Sequence, residues 1–249
     1  MAERVKLRFA PTVPVEHQSV LRRVLSQKPD ESQRILHNHR SQLKAYYRVE
    51  TPIRPLFIKF RPFNAWHRRL GRMLQRTKEE RELRNYLMLA ERGLPCPEPI
   101  GSGRLFGGPL IKGSMLILEY LSDALPLRSV LSQGSAPPGP VLEGLVTLLC
   151  ALREQGGVHE DLQWNNIMVR STPHGPRLYL IDALHLRWAH ESEEAPFRKT
   201  LVWFLYFLLQ DNAPQGIVDG FIERVHRLGI DGPAARQALL DEARRLARM

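Results

Sequence analysis

The most restrictive feature of the 249-residue sequence is a polar loop followed by two short apolar segments. The loop contains His159, Asp161 and Asn166, and the apolar segment 167–169 follows it directly. A second apolar segment begins after a turn and ends at Asp182. Two such segments joined by a turn predict a β-hairpin. Each fragment alone is common in structural turns, but this order and spacing together indicate a functional loop.

The polar side chains of this hairpin suit phosphoryl transfer. A carboxylate such as Asp161 can accept or orient the proton of an attacking hydroxyl group. The amide oxygen of Asn166 can bind Mg²⁺, and Asp182 supplies a second hard oxygen ligand. Because phosphoryl transfer depends mostly on positioning and charge neutralisation, the pattern predicts a kinase-type site. Asp161 is then the catalytic base, and Asn166 and Asp182 are metal ligands.

On these motifs the chain resembles the lipopolysaccharide kinase family of the protein-kinase-like superfamily. The resemblance extends from about residue 34 to about residue 209. It implies a two-lobed α+β fold, in which the small lobe is an antiparallel sheet with one helix and the large lobe is mostly helical. It also implies an ATP- and Mg²⁺-dependent enzyme that phosphorylates a Kdo or heptose sugar of a lipopolysaccharide inner-core precursor.

The resemblance and the hydrophobic periodicity together predict the lobes and their elements. The small lobe is expected at residues 1–121 and the large lobe, with the catalytic and metal loops, at residues 122–249. Within the small lobe we expect an extension at 1–30, strands within 35–60, a helix at 64–92 and further strands within 103–120.

Lys59 lies among apolar residues of a predicted strand. The resemblance implies that it binds nucleotide phosphates, whereas the alternative is a lysine that faces solvent. The preceding turn, residues 40–44, contains no glycine, so backbone amides cannot approach phosphates as they do in a glycine-rich loop. We therefore expect Ser41 and Lys44 to contact phosphate instead.

A glutamate on the following helix is expected to hold Lys59 in place, and Glu79, Glu80 and Glu82 are the candidates. Glu82 is chosen because it lies one turn before the apolar Tyr86 and therefore borders the inward face of the helix. The alternative is that these glutamates form ion pairs within the helix, as Glu80 could with the arginine four residues later.

Residues 119–121 resemble the hinge of the superfamily, so the backbone of Glu119, Tyr120 and Leu121 is expected to contact adenine. Two features depart from protein kinases: Gln163 replaces a lysine, and Ala-Leu instead of Phe-Gly follows the metal-binding aspartate. The resemblance further implies that His159 braces the backbone of the catalytic loop. Arg187 is expected either to stabilise the loop or to meet an acidic acceptor.

The net charge of +10 and the pI near 10.0 favour an acidic partner. We expect an anionic glycolipid or sugar-phosphate acceptor and peripheral contact with the anionic inner membrane, although a merely solvated basic surface is an alternative. Nucleic acid would rest on charge alone and is disfavoured. The apolar run 201–209 is too short to cross a membrane and predicts a buried helix.

The two cysteines, Cys96 and Cys150, are too few for a disulfide framework or a metal site. Together with an N-terminus that shows no secretory signal, they predict a cytoplasmic protein, peripheral on the inner face of the cytoplasmic membrane. Other functions fit the same residues: a protein or small-molecule kinase of this fold, or a pseudokinase scaffold, which the glycine-free turn and the Ala-Leu pair would favour.

Overall fold

The architecture of the chain comes from a computed structural model. Ser41, which is expected to contact phosphate, and residues 64–74 of the predicted helix lie outside the described residues. The structure describes residues 3–26, 34–36, 44–63, 75–188 and 194–247.

The chain divides into two compact units, and the first strand-rich unit continues to Ser122. This unit contains Met1–Ala90 and Pro97–Ser122, and the second contains Glu91–Cys96 and Asp123–Met249.

A six-stranded antiparallel sheet dominates the first unit, with strand order β1-β5-β6-β4-β3-β2. Successive side chains of each strand point to opposite faces, so the register determines which residues share a face. The strands are β1 (Glu3–Phe9), β2 (Arg34–Leu36), β3 (Ala45–Val49), β4 (Leu56–Pro62), β5 (Pro99–Gly107) and β6 (Leu110–Glu119).

One face of this sheet carries the hydrophobic core of the unit and the helix α1 (Val15–Val24). Leu21 of α1 and the following Leu25 are buried in the same cluster as Tyr47, Ile58 and other residues of β3 to β6. Within the predicted extension, residues 3–25 therefore form part of the sheet and of its core. The reason is that β1 pairs along its whole length with β5 while its alternate apolar side chains pack against this core.

The opposite face of the sheet is bonded to the helix α2 (Lys78–Glu91). Thr77 and Glu80 form a capping box, in which each residue accepts a hydrogen bond from the backbone amide of the other. Such reciprocal bonds satisfy two amides that a helix start leaves unpaired. The box therefore fixes the first turn of α2, from which acidic side chains reach the sheet.

The second unit consists of helices with two small antiparallel sheets, β10-β9-β7 and β11-β8. Short 3₁₀ turns at Trp164–Asn166 and Ala183–His185 lie between the strands. The helices are α3 (Leu127–Gln133), α4 (Pro138–Glu154), α5 (Glu194–Gln210), α6 (Gln215–Arg224) and α7 (Gly232–Ala247), and the strands are β7 (Ala124–Pro126), β8 (Gly157–His159), β9 (Ile167–Thr172), β10 (Gly175–Leu180) and β11 (Leu186–Trp188).

The core of this second unit is built on α4 and α5. The leucines of α4 at helical spacing are buried, as are Leu201, Phe204, Leu205 and Leu208 of α5. The prediction of a helix for the apolar run 201–209 is thus confirmed, and one face of this helix is buried while Trp203 is exposed. Among the described residues, no helix has the length and apolar character that crossing a membrane requires.

Candidate active site

The β9–β10 hairpin brings Asn166 and Asp182 to the same end of a strand pair. Leu180 lies opposite Ile167 in the ladder. One residue further along, the amide of Ile181 donates to the carbonyl of Asn166 at 2.9 Å. The two predicted metal ligands therefore follow directly from the register of one hairpin.

Asp182 adopts an uncommon backbone conformation, with φ 55° and ψ 52°. This left-handed region is sparsely populated by residues other than glycine, although aspartate and asparagine enter it most readily. The conformation allows the chain to leave β10 and turn at once into the 3₁₀ segment Ala183–His185. Strained backbone of this kind is concentrated at functional sites.

The side chain of Asn166 is oriented by a bond to the catalytic loop. Its Nδ2 donates to the carbonyl oxygen of Asp161 at 2.9 Å. Because a carbonyl can only accept, this bond fixes which end of the amide faces the loop. The Oδ1 atom consequently points away from the loop carbonyl, and it is the atom with which Asn166 can bind a metal ion.

The Asp161 carboxylate is held on one side only. Gln163 Nε2 donates to Asp161 Oδ1 at 2.7 Å. The second carboxylate oxygen receives no hydrogen bond from any residue that the structure describes. One oxygen thus orients the group, and the other can accept the proton of a hydroxyl group. From the sequence alone Gln163 is only a departure from protein kinases, and no pattern around it predicts this positioning role.

His159 is 1% exposed and braces the loop, as the resemblance implies. Its Nδ1 accepts the backbone amide of Asp161 at 3.3 Å, and its own amide donates to Thr200 Oγ1 of α5. Burial lowers the pKa of His159 to about 4, although the Asp182 and Asp161 carboxylates oppose this shift. The neutral ring therefore carries its hydrogen on Nε2, since Nδ1 is an acceptor.

A second anchor for the loop lies directly after Gln163, at Trp164. This side chain is 1% exposed, and its Nε1 donates to Asp211 Oδ2 at 2.6 Å. Arg128 of α3 donates to the same oxygen at 3.1 Å and lies over the Trp164 ring. The carboxylate at the end of α5 therefore ties the catalytic loop to α3, which no local sequence pattern indicates.

In the first unit, the structure pairs Lys59 of β4 with Glu82 of α2. Lys59 Nζ lies 2.8 and 3.0 Å from the two carboxylate oxygens, and both side chains are almost completely buried. A buried lysine and glutamate are costly unless they are paired and hydrogen-bonded. This pair requires α2 to lie at a fixed height over the sheet, and it excludes the solvent-facing alternative for Lys59.

The other two candidate glutamates pair with the sheet as well. Glu79 accepts from Arg61 of β4 at 2.7 Å and from the Ser114 hydroxyl, and Glu80 accepts two bonds from Arg104 of β5 at 2.7 Å. The alternative of an intrahelical pair for Glu80 is therefore wrong. Two strands supply the cations, Lys59 and Arg61 from β4 and Arg104 from β5, and these side chains outcompete a solvent-exposed helical neighbour.

The predicted hinge follows β6 in the first unit. The amide of Glu119 donates to the carbonyl of Glu98, and the amide of Tyr120 donates to the carbonyl of Pro55. These two amides already donate hydrogen bonds within the unit and therefore cannot donate to adenine. The amide of Leu121 makes no hydrogen bond to any residue in the described part of the chain, so Leu121 is the remaining donor of the predicted set.

Two further basic residues were predicted to have roles near the site: Lys44, which belongs to the first unit, and Arg187, which belongs to the second. Lys44 is partly buried and directly precedes β3. Arg187 lies on β11 and forms an exposed ion pair with Glu160 at 3.1 Å. Of the two roles considered for Arg187, the structure therefore shows the loop contact.

The donor set of the second unit fits a magnesium ion that is shared with a nucleotide. Within the described ranges, no group of three or more His, Cys, Asp or Glu side chains could hold a metal ion. Mg²⁺ in phosphate-transferring sites uses one or two protein oxygens and takes its other ligands from phosphates and water. Asn166 and Asp182, adjacent on one hairpin, meet that limited requirement.

Comparison with known proteins identifies the relatives of the chain. The model of the lipopolysaccharide kinase (Kdo/WaaP) family matches residues 38–191, well over half of the sequence. Among curated proteins, no significant match was found.

Solved structures extend the likeness to the fold. A structure of WaaP in complex with acyl carrier protein is 16% identical, covers 86% of this chain and 87% of its own, and has a TM-score of 0.58. A crystal structure of WbdD is 17% identical over 83% of this chain and 49% of its own, with a TM-score of 0.48. The similarity to WaaP confirms the predicted kinase-like α+β fold.

Proposed function

Since the chain belongs to the lipopolysaccharide kinase (Kdo/WaaP) family, we propose that it uses ATP and Mg²⁺ to phosphorylate a Kdo or heptose hydroxyl of an inner-core lipopolysaccharide precursor. Membership of the family makes it a phosphotransferase of lipopolysaccharide biosynthesis. We propose ATP as its nucleotide, Mg²⁺ as its metal ion and Kdo or heptose as its acceptor sugar.

The observation that carries the proposal is the half-anchored carboxylate of Asp161. Gln163 holds one of its oxygens at 2.7 Å, and His159 holds its backbone amide. A general base needs a fixed direction and an accessible lone pair. The second oxygen of Asp161 would supply that lone pair and accept the proton of the sugar hydroxyl, while the bond between the γ-phosphorus and the bridging oxygen breaks and ADP leaves.

The remaining residues are proposed to position the nucleotide. Asn166 Oδ1 and the Asp182 carboxylate would hold Mg²⁺, which when bound would neutralise charge on the phosphates. Lys59, fixed by Glu82, would donate to phosphate oxygens, and the Leu121 amide would donate to adenine. Glu119 and Tyr120 would then contribute through groups other than their amides.

Charge supports an acidic acceptor at a membrane surface. The sequence carries 36 Lys and Arg against 26 Asp and Glu, a formal net charge of +10. Each basic group close to an anionic leaflet contributes about 1 kcal/mol of attraction. We therefore propose that the protein acts in the cytoplasm and contacts the inner membrane peripherally, where its anionic glycolipid acceptor is embedded.

The proposal is tested by supplying γ-labelled ATP and Mg²⁺ to the purified protein with a panel of acceptors. The panel contains Kdo-bearing lipid A, heptose-bearing lipid A, a soluble sugar and a generic protein substrate. Label in one of the two glycolipids is expected, together with a phosphate-deficient core in the mass spectra of cells that lack the gene. Label only in the protein or the soluble sugar would instead establish the alternative kinase functions, and saturable ATP binding without transfer would establish a scaffold.

A further inference from the structure

A cavity of about 360 Å³ lies on the α2 side of the first unit's sheet, lined by β1, β5 and the first turn of α2. Its volume lies in the range of small-molecule sites. The ladder places Arg8 opposite Ser102 and Lys6 opposite Arg104, so these four side chains share the face that lines the cavity. We propose that this cavity binds a phosphate group, separately from the nucleotide residues described above.

The charge of the cavity favours an anion with two negative charges. Arg104 is already compensated, because Glu80 accepts two bonds from it. Lys6 and Arg8 are exposed and form no ion pair with any described residue. Two cations that have no acidic partner among the described residues thus face the cavity, and a phosphate monoester or pyrophosphate carries a matching charge.

Ser102 distinguishes this cavity from a basic surface. The residue is only 2% exposed, and it lines the cavity. Its hydroxyl makes no hydrogen bond within the part of the chain that the structure describes. A serine hydroxyl can donate one hydrogen bond, so it is available to donate to a phosphate oxygen in the cavity.

Protection of the sheet edge does not account for these features. β1 is an edge strand, and charged side chains on such strands prevent pairing with other chains. That role would explain Lys6 and Arg8 but would not require a cavity or a serine hydroxyl that lines it beside them. The combination of an open cavity, basic side chains that line it and an available donor is what a phosphate site requires.

The test uses the full-length protein saturated with Mg²⁺ and a non-hydrolysable ATP analogue, so that the nucleotide residues are occupied. Inorganic pyrophosphate is titrated by calorimetry, and binding to phosphatidic acid vesicles is measured by sedimentation. Ser102→Ala removes a donor without changing charge, Arg8→Ala removes one charge, and Arg23→Ala removes the same charge from an exposed position of α1.

We expect saturable binding that Ser102→Ala and Arg8→Ala each weaken by about tenfold or more, with Arg23→Ala within about twofold of the unaltered protein. If these variants weaken pyrophosphate binding in this order, the ligand is a soluble phosphate compound. If they weaken only vesicle binding in this order, the ligand is a lipid headgroup. Absence of saturable binding in both arms, or equal losses for Arg8→Ala and Arg23→Ala, would overturn the proposal. Kinase activity is not part of this readout, so its loss would leave the result interpretable.

Discussion

Protonation of the buried His159 should make the stability of the protein depend on pH. The ring is 1% exposed, and burial lowers its pKa from 6.5 to about 4. Between these values the unfolded chain binds the proton more tightly than the folded chain. The stabilisation is therefore complete above pH 6.5 and decreases as the pH falls towards 4.

The size of the effect follows from the difference between the two pKa values. At 1.36 kcal/mol per pKa unit, the whole contribution is about 3 kcal/mol. Lowering the pH from 7 to 5 removes about 2 kcal/mol of it, because protonation of the folded chain is still incomplete at pH 5. Such a loss is a large share of the stability of an ordinary domain.

Equilibrium unfolding in urea at pH 7, 6 and 5 measures this contribution when the unaltered protein is compared with His159→Asn. Asparagine retains an acceptor for the Asp161 amide but does not titrate. The difference in unfolding free energy between the two proteins should therefore shrink by about 2 kcal/mol between pH 7 and 5. His174→Asn, at an exposed turn, should leave the pH dependence unchanged. Parallel curves for the unaltered protein and His159→Asn would refute the assignment of a buried neutral histidine.

Further substitutions probe three features: the ion pair, the loop anchor and the metal loop. Lys59→Met leaves Glu82 buried without its cation and should lower the unfolding free energy by about 3–5 kcal/mol, whereas Lys59→Met/Glu82→Leu should recover most of that loss. Neither variant should bind an ATP analogue with the affinity of the unaltered protein. Full affinity in either variant would contradict the phosphate-binding role of Lys59. Trp164→Phe removes the hydrogen bond to Asp211 and should lower the free energy of unfolding by about 2–4 kcal/mol. The control Trp203→Phe changes a side chain that is 37% exposed and should lower it by less than about 1 kcal/mol. Equal losses would show that the bond to Asp211 contributes nothing. Asp182→Asn should weaken Mg²⁺-nucleotide binding by about tenfold or more without changing the stability of the protein. Asp182→Ala should also lower the free energy of unfolding by about 1 kcal/mol, because alanine tolerates φ 55° poorly. Unchanged binding in both variants would show that Asp182 is not a metal ligand.

The parts of the site that sequence could predict are those encoded locally. Asn166 and Asp182 flank one hairpin and Asp161 lies in the loop that leads into it, so the spacing of polar and apolar residues is enough to bring Asn166 and Asp182 together. The Lys59–Glu82 pair was also predictable, because a strand and the next helix each have one periodicity and one buried face. In each case a short pattern determines the geometry.

Contacts between segments that are distant in the sequence have no such local sequence pattern. Trp164 and Asp211 are 47 residues apart, and Glu80 and Arg104 are 24 residues apart. Arginine or aspartate at these positions is compatible with an ordinary solvated surface, so only the folded chain shows their partners. The same limit explains why residues 1–30 looked like an extension: a short strand and helix carry too few apolar residues to reveal that they complete a core.

The hinge shows a further limit of sequence, since backbone groups carry its function. Side-chain identity placed Glu119, Tyr120 and Leu121 in the hinge but could not show which amides are free. The fold commits the amides of Glu119 and Tyr120 to Glu98 and Pro55. Only the hydrogen-bond pattern of the folded unit narrows the predicted donor to Leu121.

The most direct test of the account compares Asp161→Asn with Glu160→Gln in phosphate transfer to the glycolipid acceptor. Both substitutions remove one carboxylate from the same loop, but Glu160 is paired with Arg187 at the surface. Asp161→Asn should lower the turnover number by about 10²–10⁴, with ATP-analogue affinity within about twofold, and Glu160→Gln should keep most of the activity. Transfer by Asp161→Asn at a rate close to that of the unaltered enzyme would contradict the role of Asp161 as the base.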